Sequence, residues 1–203
     1  MSQFRSAFLG RAPCAAPSTG TGDLALFGWE VLDRVLAARP APDVLVVARG
    51  QLLPLPPPRS ALETRTLMEA GIGLAMRRTQ RCDEGLARLA EELAQDIGGS
   101  AHVQLFVTPG RTHGFGWHYD DEDVFILQTV GIKDYYFRAN TVAADEPAHS
   151  NVFARFDTET SPLCTARLIA GDFLYLPSRW WHMATCERDA LSISVGVDRR
   201  APH

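Results

Sequence analysis

From Ser100 onward the chain consists of short runs rich in β-branched and aromatic residues: AHVQLFVTP, DVFILQTVG, DYYFRA, ARLIAG, DFLYLP and LSISVGV. Gly, Pro and Asp separate them at close intervals. Runs of that length and composition, so punctuated, are the signature of an antiparallel sandwich or barrel.

The first half reads differently. Residues 1–22 are rich in Gly, Pro, Ser and Ala and are expected to form a flexible tail. Leu24 to Ala38 places Leu24, Phe27, Val31, Leu32, Val35 and Leu36 at helical spacing, and Pro40 ends the pattern. Val44 to Ala48 is a short apolar strand. The run LLPLPPPRS, with four prolines that lack a donor, is an extended connector. Ser60 with Glu63 forms a capping box, so a helix begins there and ends near Gly71. GIGLAMRR reads as a strand. Asp83 caps a further helix, with Leu86, Leu89, Ala90, Leu93 and Ile97 on one face and Gly98-Gly99 as its stop. The expected fold is mainly β with flanking α: a jelly roll with N-terminal helices packed outside it. It makes one domain over 23–203, a helical layer at about 23–99 and a barrel core at about 100–198.

Composition excludes several classes. No stretch approaches the eighteen apolar residues of a membrane span, and the N-terminal apolar run is too short and broken for a signal peptide. Cys14, Cys82, Cys164 and Cys186 are scattered without CxxC spacing, which points to reduced thiols in a cytoplasm. A formal charge of −4 provides no basic field for nucleic acid, and Arg77, Arg78 and Arg81 read as a solvated boundary.

Within GFGWHYDDEDVFILQTVGIKDYYF, His118 and Asp120 lie two apart, so on an extended segment they point to one face. An imidazole and a carboxylate so placed can hold one metal. His182, just after GDFLYLPSRWW, is the candidate third ligand if an antiparallel strand brings it across. Two His and one carboxylate form the facial triad of Fe(II) oxygenases, which leaves open positions that a closed zinc site lacks. HxD alone is weak: 6 His and 14 Asp in 203 residues give about 0.4 such pairs by chance. The plainer alternative is a surface His beside the acidic turn Asp120-Asp121-Glu122-Asp123, and the residues by themselves leave both open.

The ordered motifs resemble the Jumonji C oxygenases of the cupin superfamily, most closely the bacterial ribosomal-protein hydroxylases and their eukaryotic relatives. The resemblance rests on His118 to Gln128 with Gly131 and Lys133, on Gly171 to Pro177 leading to His182, and on the closing LSISVGV, and it spans roughly residues 70–198. It implies a double-stranded β-helix that binds Fe(II), consumes 2-oxoglutarate and O2, and releases succinate and CO2 while hydroxylating a C–H bond. It makes His118, Asp120 and His182 the iron ligands and Lys133 the partner of the distal carboxylate of 2-oxoglutarate. Gln104 sits where relatives use a polar residue near the cosubstrate, with a solvated strand face as its alternative. Tyr135 shares a face with Lys133, with core packing as the stronger alternative. Either Ser192 or Ser194 is expected to face the barrel lumen. Trp117, Trp180 and Trp181 either line a substrate mouth or pack at the barrel rim, and His113 with Gly110, Gly114 and Gly116 reads as an entrance loop.

Only a few residues follow the last strand, so the C-terminal dimerisation and winged-helix regions of the larger relatives are not seen in this sequence. The substrate is therefore left as a protein, a peptide, an amino acid or a small metabolite, and the oligomeric state is open, a homodimer included. Two other readings stand beside the oxygenase: a metal- or ligand-binding cupin acting as sensor or partner-binding protein, and an iron cupin that needs no 2-oxo acid, which Asp120 counts against.

Overall fold

The computed structural model describes residues 2–17, 26–141, 156 and 159–199. Among these, two antiparallel sheets are formed. The larger runs in the order β1 (Cys14–Ala16), β10 (Phe173–Leu176), β7 (Asp123–Val130), β12 (Ala190–Asp198), β5 (Ser100–Thr108), β4 (Gly73–Arg77), β2 (Asp43–Ala48), β3 (Gln51–Leu52). The smaller runs β6 (Thr112–His113), β11 (Trp181–Cys186), β8 (Lys133–Arg138), β9 (Cys164–Leu168). Four helices accompany them: α1 (Ser2–Ala7), α2 (Glu30–Ala37), α3 (Ala61–Glu69) and α4 (Glu84–Ile97). This is the mainly β, jelly-roll architecture that the sequence predicts.

β12 is the spine. It pairs with β5 over nine residues, from Ala190 opposite Thr108 to Asp198 opposite Ser100, and with β7 on its other side. Eight of its nine residues are buried: Leu191, Ile193, Val195 and Val197 join the core beneath the helices, while Ser192 and Ser194 alternate with them on the opposite face. One face of the large sheet packs against α2 and α4 through Val31, Val35, Leu86 and Ile97. The other meets the small sheet through Val124, Ile126, Leu174 and Leu176 against Tyr135, Phe137 and Leu168. Completely buried side chains such as Leu86 each contribute about 2 kcal/mol from water exclusion.

Local signals place the helices as expected. Ser60 Oγ accepts from the Glu63 N–H at 3.2 Å, and the Glu63 carboxylate accepts from the Arg59 N–H at 2.7 Å, one residue before the usual capping-box donor. Asp83 accepts from the Leu86 N–H at 3.0 Å and so caps α4. Arg77 pairs with Asp43 at 2.6 Å on an exposed edge, in keeping with a solvated role. All four cysteines are free thiols, and no described helix is long and apolar enough to cross a membrane.

Three expectations need correction. Residues 2–17 are not a loose tail: α1 lays Phe4 against Tyr175, Phe125 and Phe8, and β1 pairs with β10, Cys14 opposite Tyr175. Two phenylalanines give the segment enough apolar surface to be anchored despite its small-residue composition. The remainder of the expected tail and the first residues of the helix expected from Leu24 lie outside the described residues, and α2 begins only at Glu30. The stretch 23–99 is also not only a helical layer outside the barrel: the strands expected at Val44–Ala48 and in GIGLAMRR form as β2 and β4 and join the large sheet. β4 pairs with β5, β2 with β4 and β3 with β2, so these strands widen the large sheet by three.

Candidate metal centre

His118 and Asp120 lie on the segment just before β7, and His182 is the second residue of β11. An isolated bridge joins them: the His118 N–H donates to the His182 carbonyl at 3.1 Å, and the His182 N–H donates to the His118 carbonyl at 2.8 Å. The next turn holds the other side, because the Arg179 N–H donates to the Asp120 carbonyl at 2.7 Å. Backbone pairing thus fixes all three positions before any side chain acts.

The side chains converge. One ligand atom from each of His118, Asp120 and His182 lies within 4.8 Å of the other two. His182 Nε2 is 3.5 Å from Asp120 Oδ2, and the two imidazole centroids are 4.2 Å apart. His118 Nδ1 is 2.8 Å from the Gly116 carbonyl and His182 Nδ1 is 3.0 Å from the Trp180 carbonyl. A carbonyl only accepts, so each Nδ1 carries the proton and each Nε2 presents a lone pair. Burial, then the neighbouring His118, pushes His182 down to about 4, and Asp120 and the Trp180 carbonyl only partly oppose this. His182 is therefore neutral at physiological pH, the form that ligates metals. Two imidazoles and one carboxylate on one rim fit Fe(II) with positions to spare.

The three ligands line a cavity of about 260 Å³ between the sheets. At its closed end Lys133, 3% exposed, donates from Nζ to Ser192 Oγ at 2.8 Å. Burial lowers the Lys133 pKa to about 8, with a small opposing effect from Cys186. Among the described residues no carboxylate is within ion-pair distance of it. Tyr135 shares that inner face and is raised far above its ordinary range, chiefly by burial; its hydrogen bond to Ser192 acts the other way. Gln104, Ser192 and Ser194 all reach the cavity, so both serines face the lumen rather than one.

Other residues fall elsewhere. Trp117 stacks on Phe156 at 4.0 Å, and Trp181, fully buried, meets Tyr119 edge-on and donates to Glu159 Oε2 at 3.2 Å. These indoles pack on the outer side of the ligand strands, and Trp180 packs against the cluster between the sheets. His113 sits in β6, away from the ligand cluster; Gly114 lines the cavity, as does Phe115. Sequence reading missed His102. It reaches Glu122 at 3.3 Å across Gly196, where a Cβ would come within 2.1 Å of Glu122 Oε2. The available signal was the period-two face of β5, on which His102, Gln104, Phe106 and Thr108 alternate inward.

Comparison with known proteins agrees with this geometry. The JmjC domain family model matches residues 75–203. The chain belongs to the JmjC family. Among curated relatives of this JmjC chain, Ribosomal oxygenase 1 of Homo sapiens is 30% identical over 150 residues, 72% of this chain and 23% of its own length. Ribosomal oxygenase 1 of Gallus gallus is 34% identical over 106 residues, 52% and 18% of the two chains. The bifunctional lysine-specific demethylase and histidyl-hydroxylase NO66 of Drosophila pseudoobscura pseudoobscura is 34% identical over 111 residues, 54% and 11%. Among solved structures, Escherichia coli YcfD superposes with a TM-score of 0.72 at 18% identity, covering 100% of this chain and 53% of YcfD. A structure of the same ribosomal oxygenase with cobalt and 2-oxoglutarate gives 0.67 at 17%, covering 100% and 52%. The JmjC chain thus spans about a quarter or less of these curated relatives and about half of the structural ones, and the structural likeness establishes its cupin-like fold.

Proposed function

We propose that this chain is an Fe(II)- and 2-oxoglutarate-dependent oxygenase that hydroxylates a C–H bond of a protein, peptide, amino acid or small metabolite, releasing succinate and CO2. The observation that carries the reading is that the His118–Asp120–His182 cluster and the buried Lys133 share one cavity. Iron bound there would supply chelation of a 2-oxo acid and activation of O2.

The protein's own contribution follows from its residues. His118 and His182 offer Nε2 lone pairs fixed by their Nδ1–carbonyl bonds, and Asp120 offsets part of the metal charge. Lys133, buried with no acidic partner among the described residues, suits the distal carboxylate of a dicarboxylate, with Ser192 holding its ammonium in place. Val124, Ile126 and Phe115 supply apolar wall that excludes water, and Gln104 provides polar contact on the same wall. Lys133 also weighs against a purely metal-binding cupin, which has no use for a desolvated cation at the floor of its cavity. The four free thiols support a cytoplasmic setting, and the net charge of −4 supports a substrate other than nucleic acid.

The deciding experiment is an anaerobic titration of the protein with Fe(II) and 2-oxoglutarate, followed by admission of O2 and succinate assay. A metal-to-ligand charge-transfer band and iron-dependent succinate are expected. Neither appearing with iron demonstrably bound would leave a cupin without this chemistry.

A further inference from the structure

The register between β7 and β12 slips at Leu191/Ser192. Leu191 stands opposite Val130 and Ser192 opposite Gln128, which leaves Thr129 as an extra residue in β7. A bulge of this kind bends its strand and re-aims the side chains around it. Side chains hold it here. Gln128 Nε2 donates to the Val130 carbonyl at 2.7 Å and the Leu191 carbonyl at 3.2 Å, and Thr129 Oγ1 donates to the same Leu191 carbonyl at 3.0 Å.

Gln128 is fully buried and shares the inner face of β7 with Val124 and Ile126, which line the cavity. Both of its partners are carbonyls, so the NH2 must face them and the amide orientation is determined. Its Oε1 is buried with no donor. A wholly buried amide with half its capacity unused is a costly way to fill space, which indicates that the position needs the donor half.

The bulge sits between the two ends of the Lys133–Ser192 bond. On β12 the next residue after Leu191 is Ser192. On β7 the chain passes from Val130 through Gly131 and Ile132 into Lys133. Without the extra residue Val130 would slip by one against β12, so the Gly131–Ile132 turn would deliver Lys133, held in the other sheet opposite Leu168, one residue out of step with Ser192.

We infer that Gln128, assisted by Thr129, is a positioning residue that sets how deep Lys133 lies in the cavity, and thereby the chain length of the dicarboxylate accepted there. The inference rests on the oxygenase reading of the cavity. A dicarboxylate one carbon shorter or longer sets its distal carboxylate off by most of a C–C bond length from a fixed ammonium, so the unperturbed site should distinguish it.

The test is calorimetric titration of the Zn(II)-loaded protein, which binds without turnover, with 2-oxoglutarate, oxaloacetate and 2-oxoadipate. The wild type is expected to favour 2-oxoglutarate over both. Gln128→Met keeps length and removes the donor. It should weaken 2-oxoglutarate about tenfold and bring the three affinities towards one another, with zinc affinity unchanged. Thr129→Val should act in the same direction to a smaller extent, and it carries the test alone if Gln128→Met does not fold. A discriminating wild type whose variants keep the same preference overturns the inference and leaves the oxygenase reading intact. A zinc-loaded wild type that binds none of the three overturns both.

Discussion

The backbones of His118 and His182 exchange two hydrogen bonds, at 3.1 and 2.8 Å, while their rings lie 4.2 Å apart. The ligand pair is therefore an extension of the sheet between the HxD segment and β11 rather than a feature of mobile loops. Asp120, its side chain 42% exposed, is the ligand least tied to the core.

From that contrast, Asp120→Ala should abolish tight Co(II) binding while changing unfolding free energy by about 0.5 kcal/mol or less, the range of surface substitutions. Calorimetry of Co(II) binding beside urea denaturation checks both halves. Loss of fold together with loss of metal would contradict the assignment of Asp120 to the rim.

Lys133 gives a prediction with a definite sign. Its pKa is lowered to about 8 from 10.5, so between those values the unfolded chain holds the extra proton. Stability of the metal-free protein should rise as pH passes from about 8 towards 10.5, and the burial penalty is present in full below 8. Lys133→Met should therefore stabilise the apoprotein at pH 7 by an amount on the order of 3 kcal/mol, yet abolish 2-oxoglutarate binding. In the wild type, affinity for 2-oxoglutarate should fall above about pH 8, because binding then requires uptake of a proton. Denaturation curves and binding isotherms from pH 7 to 10 test this.

Tyr175 ties the N-terminal segment to the ligand loop. Its hydroxyl donates to Asp123 Oδ1 at 2.5 Å and accepts from the Gly10 N–H at 2.7 Å, and Arg199 pairs with the other oxygen of Asp123. Tyr175→Phe keeps the ring that packs on Phe4 and Phe125 but orphans the Gly10 donor. A loss of about 1–3 kcal/mol is expected, measured by thermal denaturation.

Gly131 closes the turn between β7 and β8 at φ +76°, and a Cβ there would lie 2.5 Å from the Asp189 carbonyl oxygen. Backbone cannot yield as a flexible side chain can. Gly131→Ala should cost about 1–3 kcal/mol and weaken 2-oxoglutarate more than metal, since the turn leads directly into Lys133. Paired isotherms for the two ligands separate the effects.

Much of the site was legible because β-structure writes its faces into the sequence. His118 with Asp120, Lys133 with Tyr135, and Ser192 with Ser194 are each two apart, and each pair does share a face. His182 was placed by the turn signal ahead of it. What stayed hidden depends on distant partners. Phe4 and Phe8 sit among Gly, Ala and Pro, and their anchoring requires Tyr175 and Phe125, far along the chain. His102 meets Glu122 only because the strand between them carries Gly196. The tryptophans were ambiguous because strand parity at 181 assigns the indole to one face and the ligand imidazole of 182 to the other, and the start of β11 had to be known first.

The short first strand has a further effect. With β1 laid along β10, the large sheet terminates among the described residues in strands of three and two residues, β1 and β3. Such stubs offer almost no template for a foreign strand. Stripping away residues 2–17 would bare β10 from Phe173 to Tyr175, three large side chains on an unpaired margin. The anchored segment 2–17 thus covers a margin of the kind that templates self-association, as well as bracing the loop beside the candidate metal centre.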